Sequence, residues 1–105
     1  MLNDYSSSFV RLVVGTPADW RARLPDAIGE HVWEFVDENS ARVVLGDESA
    51  LPHVLVMNWS IIDPVQIALL RLPRMEVSFQ YSTNANNALY SFMKRFDLHM
   101  QRGGG

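Results

Sequence analysis

The sharpest change of pattern in the chain falls between residues 75–82 and the stretch that follows. Met75, Val77, Phe79 and Tyr81 alternate with Glu76, Ser78, Gln80 and Ser82, the period of a strand with one buried face. After Thr83 and Asn84 the spacing becomes three and four. Ala85, Ala88, Leu89, Phe92, Met93, Phe96 and Met100 then form one apolar stripe, which predicts a helix over 84–100. Two apolar stripes joined by a short link are predicted to face each other across one core.

The upstream pattern supplies the rest of a sheet. Residues 9–14 form a β-branched run that ends at Gly15, a first strand. Thr16, Pro17 and Asp19 mark a helix start, with a Thr N-cap, Pro at the first helical position and an acid in the first turn. That helix is predicted over 17–24 and broken by Pro25, with a further turn leaving at Gly29. Residues 30–36 and 41–45 read as a hairpin around the polar cluster at 37–40. Ile28, Val32, Phe35 and Val36 also fit a helical period, so a helix competes over 27–37. A second turn is read at 46–49, with Pro52 closing the loop.

Residues 53–59 are apolar on both faces, as in a central strand. Residues 65–72, between Pro64 and Pro73, are read as a strand joined to 75–82 by a turn at 72–74. A helix capped by Asp63 is the competing reading there.

The connections are too short for parallel crossovers. The fold class is therefore α+β, a single domain over 1–105 with a mostly antiparallel sheet of about five to six strands. A short N-terminal helix (17–24) and a longer C-terminal helix (84–100) are expected on one sheet face. Residues 1–8 and 102–105 are read as flexible ends.

Composition narrows the class without naming an activity. Of 105 residues, 48% are hydrophobic and 20% charged, which is globular rather than disordered. The absence of cysteine excludes disulfides and thiolate metal sites and suggests a reducing, cytoplasmic setting. The first residues lack a basic and an apolar region, so no signal peptide is read. The apolar run 53–73 is interrupted by Asn58, Asp63, Pro64, Gln66 and Arg71, and no membrane partner is expected. The net charge of −3 is unevenly spread. Residues 19–48 carry eight acids against three arginines, while 71–102 carry five bases against two acids. Such polarity reads as two solvated faces of opposite sign or as a steered protein contact, and the bases are too scattered for a nucleic-acid partner.

Catalytic and cofactor motifs are missing. His31, His53 and His99 are not spaced as metal ligands, so no metal and no cofactor is expected. No nucleophile elbow or phosphate loop is present. Asp63 in an apolar run could serve as an acid or base, or simply turn the chain ahead of Pro64. Thr83 to Asn87 could bind an anion at a helix start, or merely cap it.

The aromatic residues remain. His31, Trp33 and Phe35 on one strand face, beside Met57 and Trp59 on another, would line the sheet face that the helix leaves open. These five are the candidate binding residues; the competing reading is plain core packing, with the short N-terminal helix covering that face. The function expected is a non-catalytic interaction protein, a homodimer or the binder of a protein partner through that aromatic face. The alternative is a binder of an apolar small molecule, in a pocket between sheet and helix. A third reading is a small enzyme using Asp63 or a histidine.

Overall fold

A computed structural model describes residues 7–45, 53–82 and 87–104. The chain runs through β1 (Ser8–Val14), α1 (Pro17–Ile28), β2 (Val32–Asp37), β3 (Ser40–Val44), β4 (Val54–Ile67), β5 (Leu70–Tyr81) and α2 (Asn87–Gly104). The five strands form one sheet in the order β1-β5-β4-β3-β2, and every pairing is antiparallel. With both helices on one face, this is the α+β architecture that the pattern predicts. The anion-binding reading at residues 83–86, the turn at 46–49 and the ends at 1–6 lie outside the described residues.

The register aligns side chains in rows across the sheet. One row runs Phe35, Ala41, Met57, Phe79, Phe9, and the next runs Trp33, Val43, Leu55, Tyr81. Partners in register share a face, so these rows point to the helix side. The core forms where they meet Trp20, Leu24 and Ile28 of α1 and Leu89, Phe92, Met93 and Phe96 of α2. The facing stripes of β5 and α2 pack as their spacing predicts. Phe79 meets Phe96 edge to face at 6.1 Å, and Trp20 meets Phe96 at 5.8 Å.

Three local expectations are corrected. First, α1 does not stop before Pro25 but continues to Ile28. Proline in a helix interior costs about 3 kcal/mol. Burying Ala27 and Ile28 beyond it offsets a comparable amount, since a fully buried Ile alone contributes about 1.5–3 kcal/mol. The Gly29 N–H donates to the Pro25 carbonyl at 3.0 Å and closes the helix. Gly29 has φ 77°, a conformation that side chains rarely adopt, and this requires glycine; a Cβ there would stand 2.7 Å from the Arg95 guanidinium, which is flexible and could move aside. The start of α1 is as predicted, with the Thr16 hydroxyl accepting from the Asp19 N–H at 3.2 Å.

Second, residues 53–72 are not two strands, and no turn occurs at 72–74. β4 runs through Pro64 and β5 runs through Pro73, giving one long hairpin whose two-residue loop is Ala68 and Leu69. Pro64 is tolerated because it sits in a bulge beyond the end of the β3 pairing, and Pro73 because it lies opposite the very end of β1, where the Gly15 N–H still donates to its carbonyl at 2.8 Å. The sheet therefore has five strands.

Third, the open sheet face is not aromatic. Its rows include Leu12, Glu76, Ser60 and Val10, Ser78, Asn58, aliphatic at the β1 edge and polar across the centre, and Val32, Val44, Val54, aliphatic at the β2 edge.

Two side-chain ties hold the layers in place. Arg11 on β1 donates through both terminal nitrogens to Asp97 on α2, at 2.9 and 3.0 Å. The Arg21 guanidinium on α1 lies 3.9 Å above the Phe35 ring and donates to the carbonyls of Asp37 and Glu38. In the turn after β2, the Asn39 N–H and then the Ser40 hydroxyl donate to Asp37, holding its carboxyl below the ordinary range.

Candidate interaction surface

The five candidate residues divide between core and rim. Met57 and Trp59 are buried, at 0% and 2% exposure, beneath the helices rather than on the open face. Trp33 is half-buried and packs against the same core. Phe35 lies at the rim, 36% exposed, edge to face with Trp33 at 4.9 Å and covered by Arg21. His31, ahead of β2, meets Phe92 edge to face at 5.3 Å. It lines a cavity of about 300 Å³ between α1 and α2, shared with Arg95 and Ser91.

The placement of these aromatics on an uncovered face is thus corrected, and the reason is parity. Residues 33, 35, 57 and 59 share a side of the sheet, and both helices cover that side. The indole N–H groups of Trp20 and Trp59 are buried there without an acceptor among the described residues, a cost of about 1–3 kcal/mol each carried by the surrounding apolar packing.

Residues 61–74 reach beyond the other strands. β3 pairs with β4 only as far as Asn58, and β1 pairs with β5 only from Arg74 upward. What remains is a two-stranded arm, and a bulge decides its character. Ile62 pairs with Arg74 but Val65 pairs with Leu72, so β4 carries an extra residue at Asp63 and Pro64. The extra residue returns the alternation to the same side. Ile62, Val65, Ile67, Leu70 and Leu72 therefore share the outer face, while Gln66 and Arg71 take the other. The Arg74 Nε donates to the Asp63 carbonyl at 2.9 Å and secures the bulge.

This aliphatic face continues the open side of the sheet. At the base of the arm, Val14 stands beside Arg74 and Leu12 beside Glu76. Val10, Leu12, Val14, Ile67 and Leu70 are each more than half exposed, and Leu69 at the tip is 96% exposed. Exposed aliphatic side chains gathered on one face in this way are the mark of an interaction surface rather than of singly scattered apolar residues.

Spacing alone did not reveal this surface. The bulge offsets the apolar residues of 61–72, so they fit no single period. The signal was present at Asp63-Pro64, a dipeptide that breaks alternation between two aliphatic runs. Asp63 itself sits in the bulge. His53 lies ten residues away at the far end of β4, roughly 30 Å at the rise of a strand, and His31 packs beside Phe92.

Among the described residues, no helix is long and apolar enough to cross a membrane. No group of three His, Asp or Glu side chains among them is placed to hold a metal ion. The chain matches no family model, and a search of curated proteins finds no relative.

Proposed function

We propose that this chain is a non-catalytic interaction protein that associates with a second copy of itself through the arm and the β1 edge. The supporting observation is the bulge-aligned aliphatic face, an exposed surface that the chain's own helices do not cover. A two-stranded ribbon is marginal in water by itself and is stabilised by a covering layer. Two patches lie on the same face, one at the arm tip (Ile67, Leu70) and one at the β1 edge (Leu12, Val14). A two-fold axis across that face sets each tip on the partner's β1 edge, covering both patches at once. Two different patches brought together by one symmetry operation favour a second copy over an unrelated partner.

Sedimentation velocity on the intact chain and on Leu70→Glu tests the reading. The expected result is a concentration-dependent dimer that the charge at position 70 converts to monomer, with near-ultraviolet circular dichroism unchanged. A monomeric parent chain at all concentrations, or a dimer indifferent to Leu70→Glu, would overturn it.

A further inference from the structure

A cavity of about 280 Å³ opens on the helix side of β1, where the helix layer stops short of the sheet edge. Phe79, Phe96 and Trp20 line it, together with Val13 and Met100. Two guanidinium groups stand at its margin, and they differ. Arg11 is held in a fork by Asp97. Arg23 makes no hydrogen bond or ion pair with any described residue. Asp19, one turn earlier on α1, shares an adjoining smaller cavity with Arg23 but is not within ion-pair distance.

We propose that this cavity binds a small organic monoanion, a carboxylate carried on an aromatic or compact aliphatic body. The body lies against Phe79, Phe96 and Trp20, where stacked or edge-on ring contacts add to the burial of apolar area. The carboxylate meets Arg23, whose planar fork suits two parallel hydrogen bonds. Asp97 is already committed to Arg11, so its charge is compensated. The volume limits the ligand to about the size of a fused two-ring system, at the small end of ligand pockets. Leu12 and Val14 of the β1 edge line this cavity as well as the self-association surface, whereas Arg23 belongs to the cavity and Leu70 to the arm, so Arg23→Gln and Leu70→Glu test the two readings separately.

Titration with 2-naphthoate and with its uncharged analogue 2-naphthamide tests the site, read by the Trp20 indole N–H resonance. Both probes are expected to shift that resonance, with naphthoate about tenfold tighter, as one charge-assisted hydrogen bond implies. Arg23→Gln should remove the preference and leave the affinity for naphthamide unchanged. Val13→Trp, which fills the cavity, should abolish both responses. A Trp20 resonance that neither probe moves overturns the proposal, as do equal affinities for the two probes or a preference that survives Arg23→Gln.

Discussion

The hairpin of β4 and β5 is one element with two unlike halves. At its root, Leu55, Met57 and Trp59 alternate inward opposite Tyr81, Phe79 and Val77, and all six are buried. Ile61 is the next member of the same inward series, paired with buried Met75, yet it is 73% exposed. Nothing in the strand itself distinguishes Ile61 from Met57. What changes is the cover, since α1 and α2 close over the root and not over the arm. The arm then turns its aliphatic side to the opposite face through the bulge at Asp63 and Pro64. Burial of a strand residue belongs to the layer packed against it, and the arm shows the same chemistry without that layer.

Removing packing at the root should give the largest effect. Phe92 on α2 is buried against Phe96, with ring centroids 5.5 Å apart. Phe92→Ala is expected to cost about 3–5 kcal/mol in urea unfolding, and a near-neutral result would break the assignment of the root as core. The arm tip offers a smaller change of opposite sign. Ala68 opens a two-residue loop at φ 55°, a left-handed conformation that disfavours a Cβ by about 1–2 kcal/mol. Ala68→Gly should stabilise the chain by about 0.5–1 kcal/mol, after the added freedom of the unfolded glycine is deducted. Ile61→Thr sharpens the contrast most directly. Its cost should fall within about 0.5 kcal/mol, and a loss of several kcal/mol would mean that Ile61 is covered in solution.

Much of the fold was legible in the chain. The alternation from Met75 to Tyr81 and the helical stripe through Phe92 and Phe96 are strong because one uninterrupted period names each element and its buried face. The Thr16 cap was legible because capping is local chemistry. Pro25 misled because its local penalty is offset by burial of Ala27 and Ile28, which only the packed sheet supplies. Pro64 and Pro73 misled in the same manner. Their missing N–H groups matter only where a paired strand waits for them; Pro64 lies beyond β3, and Pro73 meets only Gly15, just past the end of β1.

The candidate site was legible in part. The aromatic content of Trp33, Phe35, Met57 and Trp59 was visible, and so was their shared side on each strand. Which side the helices would cover was not, because alternation is indifferent to the choice between two faces. A strand carries its parity in sequence, but the identity of the covered face depends on how α1 and α2 return across the sheet.

The sequence by itself determined the element types, the antiparallel sheet and the facing of β5 to α2, since these follow from periodicity and short connections. Tertiary structure decided the remainder. It chose which face the helices cover, sent the aromatics into the core, and left an aliphatic arm and a cation-edged cavity at the margins. The physical reason is that burial is a property of pairs of surfaces, and one chain segment can encode only its own.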